Sequence, residues 1–122
     1  PVQSGFRPAQ VLVGSASDLD DVFLNDPFAG GRRVAGDSLR WMVVTYGAYG
    51  AKAFGQGAVL EVRAPQVDVV DSTGAGDVFA AGLTHALARG DEMASALETA
   101  VAWGSASMSY RGTIPPPTFP TV

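Results

Sequence analysis

Apolar and polar positions follow two different periods along this chain, and the switch between them marks the elements. Val11-Leu12-Val13, between Gln10 and Gly14, is a short apolar run ended by a glycine and predicts a buried strand. Ser15-Ala16-Ser17-Asp18 then offers capping side chains for a short helix through Leu19, Val22, Phe23 and Leu24, which Pro27 stops. Residues 26–37 are rich in glycine and charge and predict a loop with one helical turn. Trp41-Met42-Val43-Val44-Thr45-Tyr46 is apolar on both faces, the pattern of a central parallel strand. Gly47-Ala48-Tyr49-Gly50 turns the chain into residues 51–54, and Gly55-Gln56-Gly57 turns it back into residues 58–62, a hairpin.

Val67-Asp68-Val69-Val70 predicts another strand. Beyond a glycine-rich loop, Phe79, Leu83 and Leu87, with Val78, Gly82 and Ala86 beside them, recur at helical spacing as far as Gly90. Arg89 and Gly90 supply the chemistry of a helix end, and Gly82 reads as room for close packing against a sheet. Asp91 is placed to cap a last helix whose face carries Met93, Leu97, Ala100, Val101, Gly104 and Met108 and which Gly112 closes. Pro115-Pro116-Pro117 and Pro120 make an extended tail. There is no internal repeat and no linker, so the expectation is one three-layer α/β unit: a mainly parallel sheet flanked by helices, with a β-hairpin at one side.

Composition narrows the possibilities. A chain of 122 residues suits one domain. Only 16% of residues are charged and no window approaches about 18 consecutive apolar residues, which argues against disorder and against a spanning helix. Pro1-Val2-Gln3-Ser4-Gly5 has neither the basic nor the apolar region of a signal peptide. The absence of cysteine excludes disulfides, thiolate metal sites and a cysteine nucleophile. A net charge of −4 with a single lysine, Lys52, argues against nucleic-acid binding by counterion release. The expectation is a soluble, cytoplasmic globular domain with no membrane or nucleic-acid partner.

The chemistry concentrates in the strand-loop-helix of residues 67–89. Gly74-Ala75-Gly76 places small residues where a helix begins, leaving its first N–H groups and the positive end of its dipole open to an anion. Asp77 follows at once. A carboxylate is repulsive beside a bound phosphate, but useful if it takes a proton from a nucleophile while the N–H groups hold developing phosphoryl charge. That arrangement points to phosphoryl transfer to a hydroxyl. The bland alternative is that Asp77 complements the helix dipole, worth about 0.3–1 kcal/mol.

The longer segment Asp71-Ser72-Thr73-Gly74-Ala75-Gly76-Asp77-Val78-Phe79-Ala80-Ala81-Gly82-Leu83 resembles the C-terminal signature of the ribokinase-like (PfkB-type) carbohydrate kinases. Val44-Thr45-Tyr46-Gly47-Ala48-Tyr49-Gly50-Ala51 is similar to that family's strand and glycine turn beside the nucleotide, and Ser109-Tyr110-Arg111-Gly112 with the proline tail is similar to its C-terminus. The resemblance implies a ribokinase-like fold and ATP-dependent phosphorylation of a sugar hydroxyl. It implies Asp77 as catalytic base, the backbone of Gly74, Ala75 and Gly76 as anion hole, and Thr45, Gly47 and Gly50 along the ATP. The start of the last helix, around Ala100 to Gly104 and including Ala102, is implied to face the adenine. Carbonyls of Asp71 and Thr73 are implied to bind a monovalent cation such as K+, with Mg2+ arriving on the nucleotide. Homodimers are common in the family.

Ser15-Ala16-Ser17-Asp18 stands where the family carries Asn-x-x-Glu, a degenerate match whose roles are metal-linked contact or helix cap. Family kinases are much longer, and their sugar-binding strands and lid have no counterpart here. Residues 1–122 therefore read as the C-terminal, ATP-binding portion, inactive alone. Two readings stand beside it: a non-catalytic nucleotide-binding remnant or interaction module, and a nucleoside or vitamin kinase of the same superfamily. Thr73, where adenosine kinases carry Asn, favours sugars. His85 lies about 12 Å from Asp77 along a helix and cannot share its proton. It reads as a surface residue, Arg32-Arg33 as a solvated turn, and Trp41 and Trp103 as packing residues. There is no Walker-type G-x-x-x-x-G-K-[ST] and no dinucleotide G-x-G-x-x-G.

Overall fold

A computed structural model describes residues 10–65 and 74–108. Along the chain run β1 (Val11–Ser15), α1 (Asp21–Asn25), α2 (Pro27–Ala35), β2 (Trp41–Thr45), β3 (Gly50–Gly55), β4 (Ala58–Arg63), α3 (Ala75–Ala88) and α4 (Met93–Met108). The four strands form one sheet in the order β1-β2-β3-β4. β1 and β2 are parallel, whereas β2–β3 and β3–β4 are antiparallel, so the described sheet is mixed and parallel only across its first pair. The expected strand at Val67–Val70 and the proline tail lie outside the described residues.

β2 is the central strand by burial as well as by order. Met42, Val43 and Val44 are all essentially inaccessible, and their side chains alternate between two cores. On one face Val43 joins Ala51 and Ala53 of β3 and the apolar stripes of α3 and α4, including Leu83, Leu87, Leu97 and Val101. On the other, Met42 and Val44 join Leu39, with Phe23, Leu24 and Phe28 of α1 and α2 packed against them. The result is the expected three layers, helices on both faces of a sheet.

The first helical layer departs from the expectation. The helix after β1 is capped by Asp20, whose carboxylate accepts from Phe23 N at 2.8 Å. Asp18 instead ends a single 3₁₀ turn at Ala16–Asp18, which Ser15 precedes without making a side-chain cap. Residues 27–35, expected as loop, form the nine-residue helix α2. Asp26 caps it by accepting from Ala29 N at 3.3 Å, and Pro27 occupies its first turn, where its missing N–H is not needed. The glycines that suggested a loop are sites of close approach. A Cβ on Gly30 would lie 2.7 Å from the Phe23 ring, and one on Gly31 would lie 2.7 Å from Leu39. Arg32 belongs to this helix rather than to a turn, and bonds Asp37 at 2.8 Å.

The second layer is an α-hairpin. α3 ends as expected, with Gly90 at φ +95°. Asp91 does not begin a cap there; its carboxylate takes Arg89 at 2.7 and 2.9 Å, and the helix starts at Met93. Gly82 makes room for α4 rather than for the sheet: its Cβ would sit 3.2 Å from Ala100 Cα and 3.1 Å from the Trp103 indole. The indole in turn stacks on His85, centroids 5.6 Å apart. Among the described residues no helix is long and apolar enough to cross a membrane.

Gly50, at the entry to β3, is fixed by the fold itself. Its φ is +124°, and a Cβ there would run into the carbonyl oxygen of Val62 and lie 2.9 Å from Ala64 N. The clash is with backbone that cannot rotate away, so Gly50→Ala is expected to cost about 3 kcal/mol or more in urea denaturation. Gly57→Ala in the hairpin turn, at φ +73° but with open space around it, should cost about 1–2 kcal/mol. Equal losses would show that the Gly50 contact is not limiting.

Candidate functional site

The parallel register of β1 on β2 sets Ser15 beside Thr45, so both strands end at one level. Beyond Thr45 a 3₁₀ turn at Gly47–Tyr49, with Gly47 at φ +60°, carries the chain into β3. It is closed by Tyr46 N donating to Gly50 O at 2.8 Å and by Ala64 N donating to Tyr49 O at 3.0 Å, which draws the end of β4 alongside. α3 begins over the same edge. Gly74, left-handed at φ +79°, is its N-cap and has no side chain to cap with. The first intrahelical bond runs from Val78 N to Gly74 O. The N–H groups of Ala75, Gly76 and Asp77 precede it and have no helical partner.

These parts enclose a cleft of about 380 Å³. One wall is the strand-end side: Ser15, Ser17, Thr45, Gly47 and Gly50, with Ala64 at its edge. The other is helical, with Ala75, Gly76 and Phe79 from α3 and Val101, Gly104 and Ser105 from α4. Among the described residues no lining side chain is ionisable, and the polar groups they bring are hydroxyls, backbone N–H groups and the α3 dipole. Ser15 Oγ and Ser17 Oγ lie 2.9 Å apart at the rim. This is the crevice at the carboxyl ends of parallel strands where open α/β sheets bind ligands.

Gly76 stands out among these residues. It has an ordinary helical φ, and a Cβ on it would meet nothing within 4 Å among the described residues. Glycine costs a helix about 1 kcal/mol relative to alanine, and neither backbone nor packing asks for it here. What its missing side chain leaves is open space at a helix N-terminus, on the cleft side.

The structure therefore brings together five of the residues singled out in the sequence: Thr45, Gly47, Gly50, Ala75 and Gly76. Gly74 flanks the cleft without lining it. Ala102 is half-buried on α4 and also outside the lining, although Val101 and Gly104 on either side of it are in. That stretch is the middle of α4 rather than its start. Asp71 and Thr73 lie outside the described residues. Asp77 is exposed, at the third helical position. Ala75, Gly76 and Phe79 turn into the cleft, and the 100° step per residue carries Asp77 round to the outer side of the same turn. Ser15 and Ser17 line the cleft, while Asp18 is exposed and does not. Ser105 went unnoticed in the sequence, although it lies four residues beyond Val101 on the same face. Among the described residues no three His, Asp or Glu side chains gather to hold a metal.

Comparison with known proteins adds a family. Residues 9–120 match a family model described as pfkB family carbohydrate kinase. The chain is 33% identical over 111 residues to "Probable fructokinase-6, chloroplastic" of Arabidopsis thaliana, covering 81% of this chain and 29% of that protein. It superposes on the aminoimidazole riboside kinase of Salmonella enterica, solved with aminoimidazole riboside and an ATP analogue, with a TM-score of 0.69 and 29% identity. That match covers 85% of this chain and 37% of the kinase. A fructokinase of Vibrio cholerae O395, solved with fructose, ADP and calcium ion, gives a TM-score of 0.69 at 25% identity over 85% of this chain and 36% of that one. The chain thus spans little more than a third of these relatives at most.

Gly76→Val tests the open first turn. No neighbour is displaced, so the thermal midpoint should stay within about 3 °C of wild type. Affinity for Mg-ATP in calorimetry should fall at least about tenfold, because the side chain fills the anion's approach. Unaltered affinity would remove the first turn of α3 from the site.

Proposed function

The chain belongs to the pfkB family of carbohydrate kinases, and from that premise we propose that it carries the ATP-binding and base-bearing part of a kinase that phosphorylates a sugar hydroxyl. The observation that carries this reading is Gly76, a glycine the fold does not require, open to a cleft at a helix N-terminus. Free N–H groups at that place suit a phosphoryl group carrying developing negative charge.

In the proposed reaction the acceptor hydroxyl oxygen attacks the γ-phosphorus of ATP. A new O–P bond forms, the bond from the γ-phosphorus to the bridging oxygen breaks, and ADP leaves. ATP supplies the transferable phosphoryl group and Mg2+ screens its charge. Asp77 takes the proton from the acceptor hydroxyl. Its position on the outer side of the turn supports that role, since a base must face the acceptor rather than the nucleotide's own oxygens. The backbone N–H groups of Gly74, Ala75 and Gly76 hold the phosphoryl oxygens. Thr45, Gly47 and Gly50 run along the nucleotide, and the middle of α4 around Ala102 lies by the adenine. Asp71 and Thr73 carbonyls are the proposed holders of a monovalent cation.

The acceptor is proposed to be a hexose or a riboside, after the fructokinases and the aminoimidazole riboside kinase that the chain resembles. A second reading is a nucleotide-binding module without turnover, which the cleft and the open first turn of α3 support as they stand. Calorimetry with Mg-ATP, followed by ADP release with fructose, ribose and aminoimidazole riboside, separates them. Binding without release favours the module, and no binding by wild type sinks both. Where release is seen, Asp77→Asn should lower kcat at least about 100-fold while Mg-ATP affinity stays within about threefold. An unchanged kcat would take the base assignment away from Asp77.

A further inference from the structure

We propose that the β3–β4 hairpin carries a second ligand site, which takes a small organic oxyanion, a phosphate ester or a carboxylate, on the ammonium of Lys52. The site is a cavity of about 300 Å³ whose lining includes Tyr46, Tyr49, Gly50, Lys52, Glu61 and Arg63, a volume within the range of small-molecule sites. Ala51, Ala53, Leu60 and Val62 of the hairpin join the core beneath α3 and α4. Lys52 and Glu61, one residue out of step, therefore lie on the opposite face of the sheet. α1 and α2 cover that face over Met42 and Val44, but none of their residues lines the cavity.

Charge decides what fits. Glu61 stands directly across from Lys52 in the register of the two strands, yet its carboxylate accepts from Arg63 Nε at 3.1 Å. Lys52, the chain's one lysine, makes no ion pair with any described residue. It is half-buried, and its ammonium lies over the Tyr46 ring, 5.5 Å from the centroid. A phenol face holds an ammonium in place without neutralising it. With Glu61 committed to Arg63, one positive charge is left at the cavity, and an oxyanion supplies the missing counter-ion. Tyr49 is 85% exposed and belongs to neither core. Its ring suits the apolar or sugar part of an organic anion.

Gly50 lines the cleft beneath α3 as well as this cavity, so an anion has two neighbouring places to go. They differ in chemistry: the cleft offers backbone N–H groups, the hairpin an ammonium. Calorimetry on the whole chain at low salt, with glucose 6-phosphate, malate and inorganic phosphate as probes, tells them apart. Glucose 6-phosphate or malate is expected to bind at least about tenfold more tightly than inorganic phosphate. The tighter of the two identifies the ligand as phosphate ester or carboxylate. Lys52→Met keeps an apolar stem against the Tyr46 ring and should weaken that binding at least about tenfold, while Lys52→Arg stays within about threefold of wild type. Glu61→Gln removes the competing carboxylate and should tighten binding about threefold. Gly76→Val should bind the probe as wild type does, and every variant should melt within about 3 °C of it.

The proposal is overturned if wild type binds neither organic anion, or if Lys52→Met keeps the wild-type affinity. It is equally overturned if Gly76→Val abolishes binding of the probe, which would place the anion at the start of α3 instead. Should Lys52→Met melt several degrees lower, Glu61→Gln decides: tighter binding supports the ammonium site, and unchanged binding overturns it. None of these outcomes depends on whether the cleft binds a nucleotide.

Discussion

Everything in this structure hangs on β2 being buried on both faces. A strand with one wet face can slide or pair with several partners, but Met42, Val43 and Val44 need apolar neighbours above and below at once. That requirement recruits α1 and α2 on one side and α3 and α4 on the other. It also fixes the register with β1, because a slip of one residue would exchange the two cores. The register is what levels Ser15 with Thr45 and so creates the shelf beneath α3. The site is a consequence of the core, two steps removed.

The glycines then divide by cause. Gly30 and Gly31 let α2 approach Phe23 and Leu39, Gly82 lets α3 meet α4, and Gly50 lets β3 start against β4. Each is explained by a neighbour that a Cβ would strike. Gly76 has no such neighbour and no special φ. A residue that the chain does not need for its own folding, at a place where it weakens a helix, is best explained by something outside the chain. In the proposed reaction, attraction for the phosphoryl group would rest on the fixed backbone dipoles at the start of α3, which need no reorganisation when charge develops.

How much of this could be read from the sequence follows from what periodicity records. β2, the hairpin of β3 and β4, and the bodies of α3 and α4 were legible because their apolar residues recur at the right spacing over several turns or pairs. α2 was not. Pro27, Gly30, Gly31 and two arginines imitate a loop, and only the three-dimensional contact with Phe23 shows why glycine is tolerated in that helix. Gly74-Ala75-Gly76 was legible because small residues before a helix have few other uses. Ser105 was not, since a serine buried in a helix looks like any small residue until the space beside it is known.

The position of Asp77 ties the two halves of the argument together. In an in-line displacement the entering and leaving oxygens lie on opposite sides of the phosphorus, so the groups that serve them cannot share one wall. With Asp77 as the proposed base, α3 would meet that demand within a single turn. Ala75, Gly76 and Phe79 face the cleft, and Asp77, one residue on, faces away from it. A carboxylate turned into the cleft would repel the phosphates that the N–H groups attract. In the proposed reaction a carboxylate turned outward from the same helix end would face the side from which a hydroxyl comes. On that proposal the helix would separate nucleotide and acceptor sides by its own 100° step, and a shift of one residue in where α3 begins would place the carboxylate on the wrong one.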